Sequence, residues 1–541
     1  MMTRMLVTYA ILLGAGFAQN AFSISGSLFN VSVSGAALSI NTTLPNHFYS
    51  SAGITINTPG FTYASTNSGC SLSDNGYCLF SVSDKSAATI MTSGPSGDMV
   101  FTLCLNGVAG LSCQNYYSAM NISALIAVGN YTNTTTNIVP LSYTSTNGGN
   151  SWSVSSALSL PGDVATSVAN SRLRGVTCDT TRLQCTAVGS YKNTSSNIVP
   201  LSYTSTNGGN SWSLSSTVPL PGDVATTTAT AVLNGVACDS TGLQCTAVGS
   251  YKNTSNNIVP LSHTSINGGN SWSLSTTLPL PVDVITAATA NSVLNGVACD
   301  STRLQCTAVG SYKNTSSKTV PFSYTSFNGG NSWSLSTTLP LPADVLTTAT
   351  ANSVLNGVAC DSTRLQCTAV GSYRNTSNRT VPFSYTSTNG GNSWSLSSAL
   401  PLPGDVITTV TANSVLSGVT CDSTRLQCTA VGSYRNTSSR TVPFSYTSTN
   451  GGNSWSLSSA LPLPGDVITS ATANSVLSGV TCDSTRLQCT AVGSYRNTSN
   501  NIVPLSYTST NAGNSWSLSS TLPLPQDVAT SSANSTLRGV G

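Results

Sequence analysis

"STNGGNSW" at Ser145–Trp152 returns six more times with small changes, ending at Trp212, Trp272, Trp333, Trp394, Trp455 and, as "STNAGNSW", Trp516. The tryptophans stand 60 or 61 residues apart. The surroundings repeat with the octapeptide, as in "LNGVACDSTRLQCTAVGSYKNTSSKTVPFSYTSFNGGNSWSLS" from Leu294. A period of this length marks one supersecondary unit stacked on copies of itself.

Each unit reads as four short strands: "NGVAC", "QCTAVGSY", "VPFSYTS" and "SWSLS". "DSTR", "KNTSS" and "NGGN" separate them. Asn-Gly between two such runs is a hairpin signal, because both residues tolerate positive φ. No stretch keeps a 3.6-residue apolar period, so no helices are expected. Seven units of four strands predict an all-β chain. Its core is a seven-bladed β-propeller of four-stranded blades over 118–541, preceded by a small β-sandwich over 19–117. A β-helical solenoid is the rival, but its rungs are usually much shorter than this unit.

Ser-x-Asn-x-Gly-x-x-Trp resembles the Asp-box of sialidase-like (BNR-repeat) β-propellers. Asn147, Asn207, Asn267, Asn328, Asn389, Asn450 and Asn511 stand where that family usually has Asp. The resemblance covers about residues 119–541. It implies that the octapeptide caps the turn between the third and fourth strands, at the blade periphery and away from any active site. Asn keeps the acceptor oxygen that fixes such a turn, and the tryptophan is placed to fill space between blades. The octapeptide is thus expected to be structural.

Only 6% of residues are charged and the net charge is +3, so no basic nucleic-acid surface is expected. "MMTRMLVTYAILLGAGFAQ" has a basic start, a short apolar run and small residues before Gln19, the pattern of a signal peptide over 1–18. No later segment is apolar enough to span a membrane. The 16 cysteines agree with export to a secreted or cell-surface location. Twelve flank the first hairpin of six units: Cys178/Cys185, Cys238/Cys245, Cys299/Cys306, Cys360/Cys367, Cys421/Cys428 and Cys482/Cys489. On facing strands each pair falls within disulfide reach, and no histidine accompanies them to suggest zinc. Segments such as "GSLFNVSVSG" and "YCLFSVSD" predict the sandwich, with pairs Cys70–Cys78 and Cys104–Cys113. This part resembles the immunoglobulin-like modules of exported bacterial surface proteins.

The propeller resemblance also raises a sialidase-like glycoside hydrolase. Such an enzyme needs a tyrosine nucleophile assisted by a glutamate, and an aspartate acid/base. The chain has no glutamate; all 16 carboxylates are aspartates. Seven stand in "LPxPxDV": Asp163, Asp223, Asp283, Asp344, Asp405, Asp466 and Asp527. Six follow a hairpin cysteine: Asp179, Asp239, Asp300, Asp361, Asp422 and Asp483. Asp74, Asp84 and Asp98 precede the propeller. Hydrolysis of a glycoside takes two carboxylates in different environments facing one bond, and equivalent blades hold like residues apart. No break in repeat symmetry marks a catalytic blade. His263 replaces a tyrosine in one unit and reads as a drifted surface position. No metal site and no cofactor are expected, and the aspartates read as turn caps.

The remaining candidate surface is the loop between second and third strands. It groups Tyr191-Lys192-Asn193, Tyr251-Lys252-Asn253, Tyr312-Lys313-Asn314, Tyr373-Arg374-Asn375, Tyr434-Arg435-Asn436 and Tyr495-Arg496-Asn497. Aromatic, cation and amide together suit polar ligands such as glycans, and repetition gives avidity. Each Asn also opens an N-x-Ser/Thr sequon. The expectation is a monomeric, non-catalytic binding or adhesion protein whose partner is a glycan. A protein-protein interaction scaffold docking a surface protein is the alternative beside the hydrolase.

One expectation concerns closure. The first unit has its second strand, "ALIAVGNY" at Ala124–Tyr131, but no "GVxCDSTRLQC" hairpin just before it. "NSTLRGVG" at Asn534–Gly541 matches the start of a unit and stops. The C-terminal segment should therefore supply the first blade's missing strand, in preference to "LNGVA" at Leu105–Ala109.

Overall fold

The computed structural model describes residues 124–541, apart from loop segments 167–168, 228, 287–289, 362–364, 423–426, 484–487 and 530–532. Before residue 124 it describes backbone strands only. These lie between Ala21 and Met120 and pair into two antiparallel five-stranded sheets. The expected signal segment, the sandwich packing and the side chains of Cys70, Cys78, Cys104 and Cys113 fall outside the described residues.

From Leu125 onward the chain forms seven antiparallel four-stranded sheets, a seven-bladed β-propeller. Blade two shows the pattern. Arg172–Cys178 is innermost, then come Cys185–Lys192, Ile198–Ser205 and a short outer pair, Ser213–Leu214. The expected fourth strand is thus only two residues long; "SWSLS" spends its tryptophan on the turn. Among the described residues there is no helix, hence none long and apolar enough to cross a membrane.

Blade one closes as the terminal mismatch predicts. Thr536–Val540 is its innermost strand, against Leu125–Thr132. Leu105 instead pairs with Ala52 in an N-terminal sheet. Edge pairing of this kind removes the open strands that would bracket a broken ring.

The cores lie between blades. One cluster joins Val188 of blade two to Leu233, Ala247, Tyr251 and Trp272 of blade three. The octapeptide turn works across the same seam. Asn207 Oδ1 accepts the Ser211 N–H at 3.0 Å and the Ser205 hydroxyl at 2.9 Å. Gly208 and Gly209 take φ of 66° and 77°, which a side chain resists. The turn presents Trp212, whose Nε1 donates to Ser142 Oγ of blade one at 3.0 Å. Trp152 makes the same bond to Ser506 of blade seven at 3.1 Å, so the seam that closes the ring carries the contact that Trp212, Trp272 and Trp333 also make.

All six expected hairpin disulfides form: Cys178–Cys185, Cys238–Cys245, Cys299–Cys306, Cys360–Cys367, Cys421–Cys428 and Cys482–Cys489. Besides joining the strands of one hairpin, each bond reaches into a seam between blades. The second cysteine of every pair, Cys185, Cys245, Cys306, Cys367, Cys428 and Cys489, is fully buried in a seam between blades. Cys245 packs in one cluster with Val188, Cys367 with Val309 and Cys428 with Val370, each valine belonging to the preceding blade. Threonine hydroxyls of that preceding blade also approach the sulfurs. Thr186 Oγ1 lies 3.8 Å from Cys245 Sγ, Thr307 Oγ1 3.9 Å from Cys367 Sγ and Thr368 Oγ1 3.9 Å from Cys428 Sγ. The physical reason is the strand's position. The second strand starts in the blade interior, so its first side chain faces the neighbouring blade, and a disulfide sulfur is apolar enough to fill that space. These cysteines are core residues with no part in a ligand surface.

Candidate functional site

The second-to-third-strand loops and the long connections between blades share one face. Arg172 pairs with Ser190, so the start of an inner strand lies beside the end of the second strand. Each tyrosine of the loop ring donates its hydroxyl to the aspartate of the preceding connection. Tyr191 reaches Asp163 at 2.8 Å, Tyr251 reaches Asp223 at 2.8 Å and Tyr312 reaches Asp283 at 2.7 Å. Tyr373–Asp344, Tyr434–Asp405 and Tyr495–Asp466 repeat the bond. Burial, and then the aspartate, push these phenol pKa values above their ordinary range.

The asparagines turn inward as well. Asn193 Oδ1 accepts the Asn197 N–H at 3.0 Å, and Asn253, Asn314, Asn375, Asn436 and Asn497 accept the N–H four residues on in the same way. Tyrosine hydroxyl and asparagine oxygen therefore hold the loop together. Lys192, Lys252, Lys313, Arg374, Arg435 and Arg496 follow the tyrosines and lie half-buried on the same face.

The "LPxPxDV" aspartates thus do more than cap turns; they clamp a connection to the next blade. The hairpin aspartates are caps as expected. Asp179 Oδ1 accepts the Leu183 N–H at 3.0 Å, Asp239 the Leu243 N–H at 3.1 Å and Asp300 the Leu304 N–H at 2.9 Å. Asp361, Asp422 and Asp483 accept the N–H five residues on.

His263 is corrected. It is fully buried in blade three at the tyrosine position, with Nε2 2.7 Å from the Pro219 carbonyl oxygen. Tyr203 fills the same place in blade two and donates to Ser159 O at 2.8 Å. Burial lowers the His263 pKa to about 4. The imidazole keeps the tyrosine's backbone contact, which is why the substitution survives inside.

The inner strands enclose a central cavity of about 200 Å³, lined by one Gly–Val pair per blade, from Gly175–Val176 to Gly539–Val540. Repeat symmetry breaks here, contrary to the sequence reading. One residue before the glycine stand Asn234, Asn295, Asn356, Ser417 and Ser478, but Arg174 in blade two and Arg538 in blade one. Arg172 replaces the valine two residues earlier. The register is a β-bulge: Leu173 pairs with Gly189 and Gly175 with Val188, leaving Arg174 without a partner residue. A bulge re-aims its extra side chain. In the equivalent bulge of blade three, Asn234 Nδ2 reaches Leu294 O of blade four at 2.8 Å. The bulge also explains the invariant glycine of "AVGSY": a Cβ on Gly189 would overlap the Arg172 carbonyl oxygen. Aligning "RLRGV" and "TLRGV" with "VLNGV" and "VLSGV" would have exposed the difference, which the longer identities of the repeat hide.

No protein-family model matches the chain, and no curated protein matches its sequence. Solved structures do. A polysaccharide lyase of family PL25, an ulvan lyase, matches at 10% identity over 74% of this chain and 94% of its own, with a TM-score of 0.46. The intramolecular trans-sialidase from Ruminococcus gnavus matches at 11% identity over 62% and 91%, with a TM-score of 0.38. The fucose-specific lectin from Aleuria aurantia matches at 10% over 65% and 97%, with a TM-score of 0.36.

Proposed function

We propose that the protein is a non-catalytic binding protein of the cell exterior that engages glycans through the loop-bearing face of its propeller. One observation carries the reading: the propeller aspartates are committed to the fold. The seven of the connections accept tyrosine hydroxyls, including Tyr131 to Asp527, and the six of the hairpins accept backbone N–H groups. With no glutamate in the chain, this arrangement supports adhesion rather than acid/base hydrolysis. A sevenfold face offers many weak, similar contacts, which suits a repetitive polymer. Six disulfides suit an oxidising compartment.

A glycan array with the intact protein tests the reading. Binding to one sugar class, weakened by Lys313→Ala and Arg374→Ala together, is the expected result. An empty array with capture of a defined surface protein would replace the glycan by a protein partner. Release of a fluorescent aglycone from a sialoside or hexoside panel, above a denatured control, would overturn the non-catalytic reading.

A further inference from the structure

Blades four to six differ from the rest on the loop face. Their loops carry a second cation: Lys318, Arg379 and Arg440 stand where the other four blades have Asn137, Asn197, Asn257 and Asn501. Backbone pairing sets each beside the first cation of its loop. Lys313 pairs with Thr319, and Asn314 donates its N–H to Lys318 O at 2.9 Å. Arg374 with Arg379 and Arg435 with Arg440 share this frame, since Asn375 and Asn436 donate to the Arg379 and Arg440 carbonyls at 2.9 Å.

The asparagines of the other blades hold the fold. Asn137, Asn197 and Asn501 Oδ1 accept the N–H of Ala169, Ala229 and Ala533 at 2.9, 2.9 and 3.0 Å, which ties the loop to the connection leaving its blade. Asn257 reaches its connection through Nδ2, 3.3 Å from Thr286 O. In blades four to six that task has moved into the connection, which is one residue longer than those leaving blades one, two and seven. The matching alanines close a local turn: Ala351 donates to Thr348 O, Ala412 to Thr409 O and Ala473 to Ser470 O, each at 2.9 Å. Lys318, Arg379 and Arg440 are thus relieved of a structural duty, and their half-buried side chains make no hydrogen bond among the described residues.

The charge of this sector is uncompensated. Among the described residues none of its six loop cations forms an ion pair; Asp283, Asp344 and Asp405 hold tyrosine hydroxyls instead. Blades two, three and seven have one loop cation for each such aspartate, and blade one has Asp527 alone. Arg435 Nε donates to the neutral Ser439 O at 3.2 Å, and Arg440 Nε is buried without a partner. Unpaired cations attract anions, and guanidinium forks match oxyanions in geometry.

We propose that the loop face of blades four to six is a docking arc for an acidic polysaccharide, whose negative groups meet Lys313 with Lys318, Arg374 with Arg379 and Arg435 with Arg440. The proposal rests on the glycan reading of this face and supplies its ligand class. All six cations belong to the loops between second and third strands, and none lies on an inner strand. One pair per blade suits a chain whose charges recur along its length, because contacts that are weak singly gain by avidity.

The test uses the whole protein, with dextran sulfate, hyaluronan, polyphosphate and neutral dextran as probes and binding measured by biolayer interferometry at low and high salt. Lys318→Asn, Arg379→Asn and Arg440→Asn together install the residue of the other four blades, so this triple variant is expected to fold. The wild type should bind at least one acidic polysaccharide, more weakly at high salt, and should leave neutral dextran unbound. The triple variant should lose about tenfold or more in affinity and show a shallower salt dependence. Binding of dextran sulfate identifies sulfate esters as the partner groups; binding of hyaluronan alone identifies carboxylates. Lys192→Gln, Lys252→Gln and Arg496→Gln together remove the same charge outside the arc and should cost less. An equal loss would assign the attraction to net charge and overturn the arc. Polyphosphate bound as tightly as any acidic polysaccharide would overturn the polysaccharide. A neutral sugar class bound on the glycan array, with no acidic polymer bound, would overturn the arc and leave the glycan reading standing; binding to neither would overturn both.

Discussion

The Tyr131 hydroxyl donates to Asp527 Oδ1 at 2.7 Å, across 396 residues of sequence. It is the Tyr–Asp clamp of every other seam, made here between the start and the end of the propeller. Tyr131→Phe should therefore lower stability by about 1 kcal/mol, the net worth of one such bond. Tyr312→Phe should cost a similar amount, since its bond to Asp283 is also 2.7 Å. Chemical denaturation of both variants checks this; a much larger loss at Tyr131 alone would mean that the closing seam is weaker than its neighbours.

Deleting Thr536–Gly541 removes the innermost strand of blade one and the fully buried Leu537. It also exposes the edge of Leu125–Thr132. The melting temperature should fall by several degrees or more. An unchanged melting curve would show that the C-terminal strand does not close the ring.

Stability should respond to acid through His263. Its folded pKa of about 4 lies below the ordinary value of 6.5. The unfolded chain therefore takes up a proton first as pH falls. The contribution is intact above pH 6.5 and is lost as pH drops towards 4, by roughly 3 kcal/mol in all. His263→Tyr, which restores the residue of the other blades, should flatten the pH dependence of the melting temperature in that window. The same slope in the variant would place its origin elsewhere.

Ala512 stands where six octapeptide turns have glycine, and it keeps the left-handed φ of 60°. The position carries a Cβ penalty in blade seven alone. Ala512→Gly should stabilise the protein by up to about 1 kcal/mol, a gain that the greater unfolded-state freedom of glycine reduces. Gly390→Ala, at the same place in blade five with φ 68°, should do the reverse.

The disulfides join hairpin neighbours seven residues apart. Cys299→Ala with Cys306→Ala should cost at least about 2 kcal/mol, the amount expected for so short a loop. The buried Cys306 sulfur adds a cavity in the seam, so the loss should exceed that of reduction alone. Non-reducing peptide mapping should link Cys299 to Cys306 and to no other blade.

Blade count, strand order, closure and hairpin pairing were legible because repetition multiplies weak local signals. Asn-Gly in one turn is a hint, whereas seven such turns at one spacing define a fold. The same repetition hid what differs. His263 looked like drift because sequence does not say that its tyrosine neighbours are buried. The bond of Tyr191 to Asp163 was not readable, because the two lie 28 residues apart and nothing local announces it. The pairing of Cys367 with Cys360 was readable from their spacing, but the burial of Cys367 beside Val309 of the preceding blade was not. Arg174 and Arg538 were missed because the longer identities of the repeat mask the change before the glycine; the bulge at that place shows only in strand register. Short-range chemistry was readable; contacts set by packing between blades were not.

The last strand of the chain completes the first blade, so blade one alone is assembled from two distant segments while every other blade is one contiguous copy of the repeat. Each interior copy can therefore be added or removed in one step without touching the fastener, which both ends carry in complementary halves. The number of blades is then decided by the curvature that neighbouring copies tolerate around the glycine belt. Gain or loss of one 60-residue copy would yield a ring of a different circumference with the same clasp.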